Sequence, residues 1–152
     1  MQQTKELVLV LDNIRSMYNV GAIFRLSEGL GVSKIYLCGI TPRPPRAQIH
    51  KTALGAESEV PWEHYESAAK LIQQLQRDYT IAVLELTPDA ISLDHYHLTS
   101  PLALVVGHET EGVGQEWLKA AQVHLKIPMH GQVHSLNVAT ATAIAVWHLL
   151  QD

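Results

Sequence analysis

Ile127–Leu150, IPMHGQVHSLNVATATAIAVWHLL, is the stretch from which the rest of the chain is read. Leu125 and Ile127 end a buried strand, and Pro128 and Gly131 break regular structure. Ser135 or Asn137 then caps a helix that runs to Leu150. Exposed backbone N–H groups at a helix start suit a polar or anionic ligand. The helix itself, with Val138, Ile144, Val146, Trp147 and Leu149 among its apolar residues, is apolar around nearly its whole circumference. One buried face needs less than that, so the helix either sits inside the core or packs against a second subunit.

Working outward, LVLVL at Leu7–Leu11 is too short for a helix and continuously apolar, as a buried strand is. The sequence predicts further strands at 33–38, 80–86, 102–106 and 123–127. It predicts helices at 19–30, with Asn19 as N-cap and Gly31 just past the end, at 67–79, at 115–121 and from about 137 to 150, with one helical turn at 51–56. Residues 12–18 read as a polar turn and 41–45 as a proline-rich loop. Continuous apolar strands alternating with helices mean an α/β fold, a mostly parallel sheet with helices on both faces. The 152 residues are expected to form a single domain, 1–152, with no repeat, linker or accessory RNA-binding domain.

Hydrophobic content of 47% and charged content of 17% describe a globular chain. One cysteine, Cys38, excludes a disulfide framework and is expected to be a small core residue. No secretory pattern stands at MQQTKELVLVLD, and no apolar run approaches the roughly 20 residues of a membrane span, so a cytoplasmic protein with no membrane partner is expected. A net charge of −4 does not announce a nucleic-acid binder, which usually carries a basic face. Nine histidines add positive charge only below neutral pH. The charges are nonetheless clustered, with Arg43, Arg46 and Lys51 in TPRPPRAQIHK and Arg15 and Arg25 on either side of NVGAIF.

Three segments resemble, in order, the signatures of the SPOUT superfamily in its SpoU (TrmH-like) ribose 2′-O-methyltransferase branch. They are NVGAIFRLSEGLG at Asn19–Gly31, VVGHETEGV at Val105–Val113, and IPM with SLNVATATAI at Ile127–Ile144. The resemblance covers the chain from about Leu7 onward. It implies a SPOUT fold with a C-terminal trefoil knot, S-adenosyl-L-methionine as cofactor, no metal, and a homodimer joined through the C-terminal helix. It also implies RNA as substrate, tRNA favoured over rRNA, with Arg15, Arg25, Arg43, Arg46 and Lys51 as RNA contacts.

Methyl transfer to a ribose hydroxyl asks a protein to align donor and acceptor and to help a weakly acidic hydroxyl lose its proton. Arg25, six residues after Asn19, matches the family's essential arginine; being always protonated, it is assigned to a phosphate and a developing alkoxide, not to proton abstraction. The bland alternative is a surface arginine lying over the sheet. Asn19, Glu109, Ser135 and Asn137 match the remaining catalytic positions, against readings as helix caps or a solvated loop carboxylate. His108 stands where relatives often carry asparagine, which puts a side-chain role there in doubt. The resemblance places the donor pocket on three loops: Glu85, Leu86 and Thr87; Gly107, whose missing side chain would let backbone approach a ligand; and Ile127, Met129, Ser135 and Leu136.

Other patterns carry less. Gly29-Leu30-Gly31 lacks the third glycine of a dinucleotide fingerprint and ends a helix instead of opening one. His95, His97, His130 and His134 lack acidic or cysteine partners at ligand spacing. Trp62, Trp117 and Trp147 form no stacking pattern. Two rival functions stand beside the methyltransferase: a catalytically silent knotted RNA-binding module, and a small-molecule α/β enzyme with another cofactor.

Overall fold

The computed structural model describes residues 5–151. Its strands are β1 (Leu7–Asp12), β2 (Lys34–Cys38), β3 (Trp62–Tyr65), β4 (Thr80–Leu84), β5 (Ile91–Ser92), β6 (Leu102–Gly107) and β7 (Val123–Lys126). They form one sheet in the order β3-β2-β1-β6-β4-β7-β5, and every pairing is parallel. The helices are α1 (Met17–Leu30), α2 (Ala47–Ala53), α3 (Ala68–Leu75), α4 (Gln115–Ala120) and α5 (Val138–Leu150).

Spatial order departs from chain order in the second half. β6 enters between β1 and β4, and β7 enters between β4 and β5. Side-chain alternation along each strand distributes the core over two faces. Leu7, Leu9 and Leu11 pack in one cluster with Ile23 and Phe24 of α1, Ile49 of α2 and Val146 and Leu149 of α5. Val8 and Val10 pack in the other with Leu71 and Leu75 of α3 and Trp117 of α4. β1 is therefore buried on both faces, which is why it reads as an unbroken apolar run. Each such side chain contributes roughly 1.5–3 kcal/mol on full burial. Gly21 is required where α2 crosses α1, since a Cβ there would stand 2.2 Å from the Ile49 carbonyl oxygen.

Helices on both faces and apolar strands agree with the sequence expectation, but several local expectations are corrected. α1 begins at Met17, capped by Ser16, whose hydroxyl accepts the Asn19 N–H at 3.1 Å. Asn19 is thus inside the first turn and is not the N-cap. α2 spans Ala47–Ala53, earlier than the predicted turn, and is followed by a 3-10 turn at Ala56–Ser58. β3 and β5 were not expected, because WEHY is charged and half-exposed and the Ile91–Ser92 pair is too short to show a period. Residues 1–4 and 152 of the expected single domain lie outside the described residues.

Because the sheet is parallel, the carboxyl ends of β1, β2, β6, β4 and β7 share one edge. Open α/β sheets bind ligands in the crevice outside those ends, where strand order reverses. Here the chain runs outward from β1 through β2 to β3 and then crosses to the far side, so the crevice falls over β1, β6 and β4.

Candidate functional site

At that edge the loops after β4, β6 and β7 enclose a cavity of about 260 Å³. Its wall includes Leu84, Leu86, Ile127, Met129, Leu136 and Val138, and its rim Glu85, Glu109, Ser135 and Asn137. Of the pocket residues expected from sequence, Glu85, Leu86, Gly107, Ile127, Met129, Ser135 and Leu136 all line it. Thr87 does not; its hydroxyl is bonded to His124 Nδ1 at 2.9 Å.

The loop after β6 is held by carboxylates from three separate places. Glu85, at the end of β4, accepts the Val113 N–H at 2.8 Å. Asp12, the last residue of β1, accepts the Gly114 N–H, also at 2.8 Å. In the reverse direction Glu109 reaches from this loop to the one after β1, accepting the Ser16 N–H at 3.1 Å and the Arg15 N–H at 3.3 Å. Within the loop, His108 and Gly112 bond each other across a tight turn. Gly107 serves that turn, since a Cβ would stand 2.4 Å from the Val113 nitrogen. The chain's own backbone thus requires a glycine here, at a position that also lines the cavity. Gly112, at φ 75°, likewise makes room for the Glu85 carboxylate.

His108 now has a physical account. Its Nδ1 accepts the N–H groups of Thr110 and Glu111 at 3.1 and 3.0 Å. That is the work an asparagine side-chain oxygen does in such a turn, and here the ring does it through Nδ1.

Asn19, Glu109 and Asn137, separated by up to 118 residues in sequence, meet in one chain of bonds. Asn137 Nδ2 donates to Asn19 Oδ1 at 3.1 Å, and Asn19 Nδ2 donates to Glu109 Oε1 at 3.4 Å. Asn137 Oδ1 meanwhile accepts the N–H groups of Ala139 and Thr140, capping α5. Capping and site-building are therefore two ends of the same amide. Ser135 shares the loop but is exposed and does not cap the helix.

Charge is distributed to match. Burial pushes the Glu109 carboxyl up, but backbone N–H donors, including Ser16 and Arg15, and the Asn19 amide outweigh it and hold the group below its ordinary value. Asp12 goes the other way, since burial dominates over its bond to Gly114 and raises it. Burial also pushes the Cys38 thiol up to about 12, which leaves it a protonated core residue. The Trp117 indole neighbours both Asp12 and Cys38, although its Nε1 closes no hydrogen bond among the described residues.

Arg25 is not brought into the cavity. It lies exposed on the outer face of α1, with no ion pair or side-chain hydrogen bond among the described residues. Arg15, Arg43, Arg46 and Lys51 are likewise exposed, on loops and helix over β1 and β2.

The family model for the SpoU rRNA methylases matches residues 6–147. The chain belongs to the SpoU rRNA methylase family. A 23S rRNA (guanosine-2′-O-)-methyltransferase RlmB of Pasteurella multocida is 32% identical over 99% of this chain, which spans 62% of that relative's length. The AdoMet-bound rRNA methyltransferase from Sinorhizobium meliloti superposes with a TM-score of 0.88 at 25% identity, over 96% of this chain and 56% of that one. A structure described for 2-OH methylation of C/U34 on tRNA has a TM-score of 0.85 at 26% identity, covering 95% of this chain and 94% of its own. The match spans all three segments that carry the SpoU resemblance. What sequence reasoning missed were Glu85 and Asp12 as loop anchors, because their partners are backbone groups that leave no residue-type signal.

Proposed function

We propose that this chain is an S-adenosyl-L-methionine-dependent RNA ribose 2′-O-methyltransferase acting on tRNA in preference to rRNA. The observation that carries it is the Asn137–Asn19–Glu109 bond chain, which joins the three SpoU segments at the rim of one cavity. The cavity is close to the lower end of small-molecule sites, roughly 300–1,000 Å³. Its lining fits the donor: aliphatic and thioether walls for an adenine ring, and two glutamates against a single lysine, Lys126, around a cationic sulfonium. The bound donor supplies an electrophilic methyl group. Leu86, Ile127, Met129 and Leu136 hold it and exclude water, while Glu85, Gly107 and Ser135 present polar and backbone edges; Thr87 supports this wall through His124.

Glu109, with its carboxyl held low and its oxygens engaged, is a poor proton acceptor; it fixes the loops around the acceptor ribose. Asn19 and Asn137 orient that ribose. Arg25 grips the adjoining phosphate and stabilises the developing alkoxide, and the hydroxyl proton leaves to that phosphate or to water. Exposure of Arg25 outside the cavity suits a residue that meets the nucleic acid, not the donor.

The same reading takes the chain as one SPOUT domain whose interleaved strands, β6 between β1 and β4 and β7 between β4 and β5, close a C-terminal trefoil knot. It makes the protein a homodimer through α5, on which Ile144 (41%) and Trp147 (59%) stand exposed, and places it in the cytoplasm with its RNA. No helix among the described residues is long and apolar enough to cross a membrane. A tRNA preference is supported by the likeness to the structure described for 2-OH methylation of C/U34 on tRNA, 94% of which this chain covers. The test is transfer of tritiated methyl from S-adenosylmethionine to tRNA and to rRNA from cells lacking the gene, with nuclease digestion to locate the label. Label in a 2′-O-methylnucleoside is expected. Donor-independent RNA binding without transfer would replace this reading with the silent module.

A further inference from the structure

The net charge conceals a strongly uneven distribution. Residues 13–56 hold six of the eleven Lys and Arg side chains and one of the fifteen acidic ones, Glu28. The fold collects much of this segment at the carboxyl edges of β1 and β2, beside the cavity. Asn13 Oδ1 accepts the Ile40 N–H at 2.9 Å, and Thr41 Oγ1 accepts the Ile14 N–H at 3.1 Å, which binds the loop carrying Arg43 to the loop carrying Arg15. Glu109 in turn joins the Arg15 loop to the cavity rim.

The same segment carries Tyr18, three residues after Arg15 and tied through its carbonyl to Thr52, the neighbour of Lys51. It sits in the first turn of α1, one residue before Asn19, and is 66% exposed. Its backbone is fixed, because the Thr52 hydroxyl donates to the Tyr18 carbonyl at 2.9 Å and Ser16 caps the turn beneath it. Helical periodicity places Arg25, seven residues on, along the same face. An aromatic ring held on a rigid turn and flanked by arginines is what proteins use to receive an unpaired base, with stacking on the ring and phosphates on the cations.

We propose that Tyr18 is a base-stacking residue for single-stranded RNA, lying next to the nucleotide whose ribose enters the site. The inference rests on the methyltransferase reading and adds to it the side from which RNA arrives, across β2 and β1 toward Glu109. The substrate segment is then unpaired at the nucleotide beside the target, with its phosphates on Arg15 and Arg43.

Filter binding of tRNA and rRNA pools to the full chain, with Tyr18→Phe, Tyr18→Ala and Arg43→Ala at several salt concentrations, tests this. Stacking of one base accounts for roughly a 5- to 150-fold change in affinity. Tyr18→Ala is expected to lose affinity in that range with an unchanged salt slope and unchanged donor binding. Tyr18→Phe should stay within about twofold, and Arg43→Ala should lower the salt slope by about one. Wild-type affinity in Tyr18→Ala, an equal loss in Tyr18→Phe, or a changed oligomeric state of Tyr18→Ala by sedimentation would overturn the stacking role. Those results leave the methyltransferase reading standing if the wild-type chain still transfers methyl. Failure of the wild-type chain to bind either RNA pool would sink both.

Discussion

Asn137 offers a way to separate what holds the protein together from what makes it work. Its side chain has two jobs on two different atoms: Oδ1 caps α5, and Nδ2 orients Asn19. Asn137→Ala removes both. Loss of the cap costs about 1 kcal/mol, and loss of a half-exposed side-chain bond adds roughly 0.5–1 kcal/mol. For a domain of this size each kcal/mol lowers Tm by about 2–4 °C, so the expected fall is about 3–8 °C. Asn137→Asp keeps an oxygen for the cap and places a charge at a helix start, where it is stabilising by about 0.3–1 kcal/mol. That variant should melt within about 2 °C of the wild type. It cannot donate to Asn19, however: its carboxylate oxygen would face Asn19 Oδ1, and flipping the Asn19 amide to relieve that would turn Oδ1 onto Glu109. Methyl transfer by Asn137→Asp should therefore fall at least about tenfold, equivalent to about 1.4 kcal/mol, despite an intact fold. Scanning calorimetry beside tritium transfer decides it. An aspartate variant that melts as low as the alanine variant, or that transfers at the wild-type rate, would refute the division of labour.

Three further outcomes follow from the site. Arg25→Ala should keep its Tm and its donor affinity by calorimetry while losing transfer, because Arg25 is exposed and its side chain bonds none of the described residues; loss of donor binding would remove it from the acceptor side. Asp12→Ala should lower Tm by about 4–12 °C, since Asp12 is only 3% exposed and the Gly114 N–H would be left without its acceptor at a cost of about 2–3 kcal/mol. A shift under 1 °C would mean that the clamp is dispensable. Glu109 has a folded pKa below its ordinary 4.5, so the stability it contributes is present above that pH and lost as pH falls through the folded value. The Tm gap between wild type and Glu109→Gln should accordingly be open at pH 7 and close well below pH 4.5, and a gap that widens on acidification would contradict the bonding described.

Strands buried on both faces were legible because β1, β4 and β6 write themselves as apolar runs, and α1 and α5 because Gly31 and Asn137 mark an end and a start. The edges were not. WEHY of β3 shows no alternation because its residues are half-exposed on a sheet border. The start of α1 was misplaced because Ser16 and Asn19 are both capping residue types, and only tertiary structure reveals that the Asn19 amide is committed to Glu109 and Asn137. At the site, Asn19, Glu109 and Asn137 were visible through the family wording. Asp12, and the loop-anchoring role of Glu85, were invisible because a carboxylate that binds distant backbone imposes no choice on its partner's side chain.

The strand order also dictates a timetable for assembly. β1, β2 and β3 are sequential neighbours and pair as they appear, but β4 lies between β6 and β7, and β5 touches only β7. A chain emerging from the amino end thus makes no new ladder between the completion of β3 at Tyr65 and the arrival of β6 at Leu102. β4 has both of its edges unpaired until β6 has been made, and its second edge stays open until β7 is complete at Lys126. Pairings that span such intervals close slowly, and an apolar strand left open on two sides is prone to stray association. The hazard of this protein is therefore concentrated in time, in the interval when Thr80–Leu84 exists and its neighbours do not.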